Sequence, residues 1–175
     1  MNITLFVPVL NEIDGLKAIM PLIPKNMFSQ ILIVDGQSKD ASAEWSRQQG
    51  YDVYVQKKPG IRNAYIEAWS LIKGEHVLTF SPDGNCKVED LLLLINKYKE
   101  GYDMVIASRY LPPAKSDDDG PITGFGNWMF TKTINTIHNS NYTDAMTIYR
   151  IYRTKLFYEL DLHKEESYIT EKYFF

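Results

Sequence analysis

The sequence predicts an α/β protein built on a mostly parallel, Rossmann-like sheet with helices on both faces. Three observations carry this expectation. Short apolar runs alternate with amphipathic stretches from residue 3 to residue 107, the order produced by parallel strands joined through right-handed crossovers. Gln30-Ile31-Leu32-Ile33-Val34 and Val77-Leu78-Thr79-Phe80 are too uniformly apolar for half-exposed strands and read as strands buried on both faces. Three of these runs end in polar clusters, Asn11-Glu12, Asp35-Gln37-Ser38 and Ser81-Asp83-Asn85, and the carboxyl ends of strands in an open sheet share one crevice.

In chain order, residues 3–9 read as a central strand, followed by a helix over 13–20 broken at Pro21 and Pro24. The strand over 30–34 ends in a turn from which Asp40 or Ser42 can cap a helix over 41–49. Gly50 stops that helix, and 51–55 is a third strand. A basic loop holding Lys57, Lys58 and Arg62 enters a helix running to about residue 72, with Gly74 as its stop. The fourth strand, 77–80, is closed by Pro82 and Gly84. Residues 89–100 carry Leu91, Leu92, Leu94, Ile95 and Tyr98 on one broad face, and 103–107 is a fifth strand ending at Ser108-Arg109-Tyr110. The character then changes. Residues 112–121 hold three prolines and Asp117-Asp118-Asp119, a flexible loop whose like charges repel and extend, suited to cover a site. A helix over 123–138 offers Phe125, Trp128, Met129, Thr131 and Ile134 to pack or to line a groove. Thr143-Asp144-Ala145 is a polar break, 148–157 an aromatic-rich strand and turn, and Ser167 caps a final helix.

A chain of 175 residues suits one domain with a real core. A net charge of −3 argues against a general nucleic-acid binder. The single cysteine, Cys86, excludes an intramolecular disulfide and fits a reducing compartment; without a nearby histidine it reads as a small filler residue. His76, His138 and His163 lack metal-ligand spacing. The amino terminus has no basic n-region, and no apolar run approaches the roughly 18 residues of a membrane span. A cytoplasmic protein is expected, at most peripheral at the inner face of the membrane. The ending Tyr173-Phe174-Phe175 reads as a helix cut short or as a terminus held against a core or partner.

Ser81, Asp83 and Asn85 place oxygen-bearing side chains at alternate positions after the fourth strand. Oxygen donors suit a hard cation, Mg²⁺ or Mn²⁺, held by one or two carboxylates and substrate phosphates. Alone, the same stretch reads first as an ordinary Asp-Gly turn.

Six segments occur in a telling order: Val7-Pro8-Val9-Leu10-Asn11-Glu12, Ile33-Val34-Asp35-Gly36-Gln37-Ser38-Lys39-Asp40, Pro59-Gly60-Ile61-Arg62-Asn63-Ala64, Ser81-Pro82-Asp83-Gly84-Asn85, Ser108-Arg109-Tyr110, and Thr143 through Arg150. Together they resemble the family 2 glycosyltransferases of the GT-A (nucleotide-diphosphosugar transferase) fold, notably the dolichol- and polyprenyl-phosphate sugar transferases. The resemblance implies one GT-A domain over 1–175, with 1–110 binding the nucleotide sugar and 111–175 forming the acceptor side. It implies that Pro8 and Glu12 fix the nucleotide edge beside Asn11 and Ser38, that Asp35 meets the base, and that Arg62 meets base or diphosphate. Asp83, Asn85 and Ser81 would hold the metal, and Arg109 and Arg150 would face the phosphates. The implied reaction moves a sugar from a UDP- or GDP-sugar to a polyprenyl phosphate or a glycan. A hydroxyl acceptor requires a general base, for which Asp144 and Glu171 are the candidates; Asp144 is equally a loop cap and Glu171 an exposed helix residue. A phosphate acceptor requires none.

Three departures from the family pattern stand out. Ser81 replaces the first metal aspartate, Gly36 replaces a second acid after Asp35, and Thr147-Ile148 replaces a Ser-Gly pair. Two alternatives follow: a non-catalytic nucleotide-sugar binder and a sugar nucleotidyltransferase, although Asn11 to Gly15 is not the glycine-rich loop of the latter. The oligomeric state is left open.

Overall fold

The computed structural model describes residues 1–112, 114 and 120–164, with Pro121 described by its backbone alone. Alternation of side chains across each strand builds two apolar layers. From β1 (Ile3–Val9), Leu5, Val7 and Val9 face one layer and Phe6 the other. From β2 (Gln30–Asp35), Ile31 and Ile33 join the first layer, Leu32 and Val34 the second. The first layer is covered by α1 (Ile13–Ile19), α2 (Ser42–Gln48) and α4 (Asp90–Tyr98), through Leu16, Trp45, Leu91, Leu94, Ile95 and Tyr98. The second is covered by α3 (Ile61–Ala68) and α6 (Leu156–Glu159), with Trp69 stacked 4.3 Å from Phe157 between them. Burying the Trp69 ring leaves its N–H a partner, the Thr154 carbonyl at 3.1 Å.

The remaining strands are β3 (Asp52–Val55), β4 (His76–Thr79), β5 (Met104–Ile106) and β6 (Arg150–Arg153), and the sheet order is β3-β2-β1-β4-β6-β5. The first four strands pair in parallel, as the β-α repeat predicts. β6 arrives from outside that repeat and inserts antiparallel between β4 and β5. The mostly parallel α/β sheet with helices on both faces is therefore what forms.

Local boundaries differ where side chains compete with helix geometry. The helix expected to about residue 72 tightens into a 3-10 turn at Trp69–Leu71. Neither Asp40 nor Ser42 occupies the N-cap of α2; that position is Ala41, with a left-handed φ of 67°. Asp40 instead reaches the helix from one residue upstream, its Oδ1 accepting the Ser42 N–H at 3.1 Å. The remaining helix, α5 (Pro121–His138), lies outside both apolar layers.

Candidate active site

Strand direction decides which residues meet. The carboxyl ends of β1, β2 and β4 bring Asn11-Glu12, Asp35 to Asp40, and Ser81 to Asn85 to one edge of the sheet. Arg150 opens the antiparallel β6 in register with Thr79 and Ile106, so it starts at that same edge, and Ser108-Arg109 follow β5 there. Arg62 lies in the first turn of α3, its Nη2 donating to the Lys164 carbonyl at 3.4 Å. Glu171 and most of the proline-rich stretch over 112–121 lie outside the described residues.

The first two loops are clamped together. Three successive backbone N–H groups of one loop are taken by side chains of the other: Asn11 by Ser38 Oγ at 2.8 Å, Glu12 by Ser42 Oγ at 3.1 Å, and Ile13 by Asp40 Oδ2 at 2.9 Å. In return Asn11 Oδ1 accepts the Lys39 N–H at 2.8 Å. Asn11 and Ser38 thus shape the site by holding its loops. Burial raises the Asp40 carboxyl, but hydrogen bonds from the Ser42 hydroxyl and the Ile13 and Ser42 amides outweigh it and hold that carboxyl below the usual range. Asp40 and Ser42 join the site as loop clamps; their sequence signal, an acid and a hydroxyl two residues apart, was legible only as helix capping.

Asp35 is 1% exposed. Its Oδ2 accepts the Ser38 N–H at 3.0 Å, whereas Oδ1 is buried without a partner among the described residues. An unsatisfied buried acceptor costs about 1–3 kcal/mol, which a ligand's N–H would offset. Next to Asp35 in the chain, Gly36 joins Pro8, Val9, Leu10, Gln56 and Pro59 to Ile61 in walling a cavity of about 210 Å³. A Cβ at Gly36 would sit 3.2 Å from the Val9 carbonyl and 3.4 Å from Leu10 Cδ1, so the missing acid leaves this wall open.

The Ser81–Asn85 turn is held internally. Asp83 Oδ1 accepts the Asn85 N–H at 3.0 Å, leaving the second carboxylate oxygen for a ligand. Cys86 Sγ accepts the Ser81 N–H at 3.4 Å, and burial pushes its thiol up to about 12, so it packs as an unreactive filler. Glu12 is raised by burial and then by the charges of Asp83 and Asp40, so acids accumulate where a cation would compensate them. Among the described residues, no three His, Cys, Asp or Glu side chains form a metal cluster by themselves.

Helix α1 presses on this turn through a glycine. A Cβ on Gly15 would lie 2.1 Å from the Pro82 carbonyl oxygen. Gly15→Ala is therefore expected to cost about 1–3 kcal/mol, as overpacking does. Gly126→Ala in α5, where a methyl meets nothing within 4 Å, should instead be neutral or stabilise by up to about 1 kcal/mol. Thermal denaturation of the two variants checks this; equal melting temperatures would refute it.

Asp144 has a fully buried side chain paired with Arg109. Oδ2 accepts Arg109 Nε at 2.8 Å and the Arg109 amide at 3.2 Å; Oδ1 accepts Arg109 Nη2 at 3.1 Å, Asn127 Nδ2 at 3.1 Å and the Met146 amide at 3.2 Å. Burial raises its carboxyl, but Arg109 and Asn127 outweigh burial and hold it below the usual range. A buried, depressed carboxylate with five donors is poorly suited to take a proton. Of the two readings of Asp144, loop cap and general base, these bonds favour the first. Arg150 Nη2 donates to the Thr147 carbonyl.

Helix α5 is inverted relative to an ordinary amphipathic helix. Asn127 and Thr131 are 7% and 5% exposed, while Ile122 and Phe125 are 87% and 61% exposed. The i, i+4 polar pair packs inward because it serves Asp144: Thr131 donates to Asn127 Oδ1 and accepts the Ala145 N–H. The sequence offers Thr131 only as a packing or groove residue, and Asn127 carries no local signal among the aromatics beside it. Beside them Tyr110, Trp128, Lys132 and Tyr142 line a cavity of about 310 Å³.

Comparison with known proteins agrees with this architecture. Residues 4–161 match the model of "Glycosyl transferase family 2". The chain is 26% identical over 164 residues to Glycosyltransferase AglJ of Haloferax volcanii, covering 91% of this chain and 53% of that protein. An uncharacterized glycosyltransferase of Mycobacterium bovis is 29% identical over 107 residues, covering 61% of this chain and 48% of the relative. The chain thus spans about half the length of the curated relatives it matches. Among solved structures, glucosyl-3-phosphoglycerate synthase from Mycobacterium tuberculosis, in complex with Mn²⁺, UDP and glucosyl-3-phosphoglycerate, superposes with a TM-score of 0.70 at 14% identity, over 89% of this chain and 57% of that one. Mannosyl-3-phosphoglycerate synthase from Rubrobacter xylanophilus gives 0.65 at 20% identity, over 90% and 54%. With a sheet of this order, its loops gathered at one edge and a family match across most of its length, the chain belongs to glycosyltransferase family 2 and has the GT-A fold.

Proposed function

We propose that this chain transfers a sugar from a nucleoside-diphosphate sugar with the help of a divalent cation. The observation that carries the reading is the gathering, at one sheet edge, of the oxygen-bearing Asp83 turn, the orphaned Asp35 Oδ1, the cavity lined by the adjoining Gly36, and Arg109 with Arg150. The nucleoside would lie along Pro8 and Gly36, with Glu12 at its edge and Asp35 receiving a base N–H. Asp83, Asn85 and Ser81 would hold Mg²⁺ or Mn²⁺ by hard oxygens, and with one formal carboxylate among them the diphosphate would complete the shell. The cation, when bound, neutralises charge on the departing diphosphate. Arg62, Arg109 and Arg150 would add forked donors suited to oxyanions. The neighbour solved with Mn²⁺ and UDP supports this donor class.

For the acceptor, we favour a phosphate carried on a polyprenyl chain over a glycan hydroxyl. A phosphate oxygen is already anionic and needs no base, which suits a site whose Asp144 is engaged by Arg109. The outward face of α5 supports an apolar surrounding. It shows Phe125, Trp128, Met129 and Phe130, carries Lys132 and no acid, and turns the Thr133 and Thr136 hydroxyls back onto helix carbonyls, each at 2.9 Å. Aromatics beside a lysine suit the membrane boundary, so peripheral association belongs to this reading. No helix of the described residues is long and apolar enough to cross a membrane.

Thermal shift with UDP- and GDP-sugars, with and without Mn²⁺, tests the donor assignment. A donor at about 100 times its Kd adds roughly 2.7 kcal/mol of stability. A shift that needs Mn²⁺ supports the reading; no shift with any nucleotide sugar overturns it.

A further inference from the structure

Residues 56–60 join β3 to α3 and lend Gln56, Pro59 and Gly60 to the wall of the 210 Å³ cavity, and side chains hold the segment at nearly every backbone position. Gln37 Nε2 donates to the carbonyls of Gln56 at 3.2 Å and Lys57 at 2.9 Å. Gln56 Nε2 donates to the carbonyls of Lys58 and Gly60, and Asn63 Nδ2 donates to that of Pro59 at 2.7 Å. All five carbonyls of the segment are therefore engaged. On the donor side, Glu67 accepts the Lys57 N–H at 2.6 Å and the Lys58 N–H at 2.9 Å, and the Tyr54 hydroxyl bonds the same carboxylate at 3.0 Å. The Gln56 N–H meets the Asp35 carbonyl at 2.9 Å.

Surface loops ordinarily leave much of their backbone to water. Here the ends are already fixed, by Asp35 on one side and α3 on the other, so the fold itself does not demand so many internal bonds. Gln37 also adopts a left-handed φ of 69°, an unfavourable conformation for a residue with a side chain, in the turn that carries Asp35 and Gly36. That conformation accompanies its reach across to the neighbouring loop. A wall ordered before the ligand arrives spares the ligand the entropy of ordering it.

We infer that Gln37 and Glu67 are positioning residues of the donor site, holding residues 56–60 preformed as the wall against which the nucleoside lies. The inference rests on the donor reading above. Neither residue need touch the donor; they act through the loop. Their loss weakens nucleotide binding and leaves the reacting centre around Asp83 and Arg109 intact.

The test uses Gln37→Ala and Glu67→Ala, with UDP and GDP as titrants by calorimetry in the presence of Mn²⁺. Each variant loses two bonds to backbone, so the nucleotide that wild type binds should bind about 5- to 30-fold more weakly. KM for the donor should rise by the same factor with kcat within about twofold. Deuterium exchange at the Lys57 and Lys58 amides should quicken, and Mn²⁺ affinity without nucleotide should hold. Gln37→Ala, which removes one part-buried and one exposed bond, serves if Glu67→Ala does not fold. Unchanged nucleotide affinity in a folded variant whose loop exchanges faster would overturn the positioning role, as would a fall in kcat at constant KM. A wild type that binds neither nucleotide would remove the donor reading and this inference with it.

Discussion

Asp144→Ala should lower stability by about 3–5 kcal/mol, the usual cost of stranding one partner of a buried ion pair. In a chain of this size that corresponds to a fall of roughly 6–20 °C in melting temperature. The carboxylate is fully buried, and the Arg109 side chain left behind is 28% exposed. Asn127 and the amides of Arg109 and Met146 would lose their acceptor as well. Because these groups share one carboxylate, Arg109→Ala combined with Asp144→Ala should cost less than the sum of the two. The pH dependence has a definite sign. The folded carboxyl is held below its ordinary value, so its stabilisation is present above the usual aspartate range and disappears as pH falls through the depressed folded value. Wild type and Asp144→Ala should therefore converge on acidification. Urea titrations at neutral and acid pH measure this, and a gap that stays constant into acid would contradict the ion-pair account.

Asp83→Asn should remove Mn²⁺-dependent donor binding with little change in folding. The substitution is informative because the amide oxygen can still accept the Asn85 N–H, preserving the turn while deleting the charge. The metal-dependent part of the donor affinity should fall by about 100-fold or more, beyond what loss of a supporting partner usually brings. Ser81→Asp, restoring the acid of the family pattern, should act in the opposite direction and tighten Mn²⁺ binding without nucleotide. Calorimetry with Mn²⁺ alone and then with UDP separates the two effects. If Asp83→Asn keeps its Mn²⁺-dependent affinity, the cation is held elsewhere.

What could be read from the sequence follows a physical divide. Strand runs such as 30–34 and 77–80 declare their burial locally, and polar residues at their ends declare a shared edge once the strands are parallel. Long-range pairing leaves no such local trace. Nothing near Thr79 or Arg150 announces that they lie side by side in the sheet. Arg109 and Asp144 each stood out as candidate site residues, but their bond spans 35 positions and became visible only in the fold. Helix α5 misled for a related reason. Apolar side chains normally mark the packed face, and here the inward face is chosen by the need to satisfy one buried carboxylate.

The antiparallel insertion of β6 has a consequence for how the chain comes off the ribosome. The strands β3, β2, β1 and β4 join through local β-α units and can pair as soon as they emerge. Strand β5 cannot, because its neighbour in the sheet is β6, which opens at Arg150. At about 5–20 residues per second, synthesis from residue 106 to residue 150 lasts roughly 2–9 seconds. For that interval Met104–Ile106 is an unmatched strand beside an open sheet edge at β4, the configuration in which nascent chains find wrong partners. The half of the sheet that carries Arg109 and Arg150 is therefore the last to close, and its assembly waits on a four-residue strand.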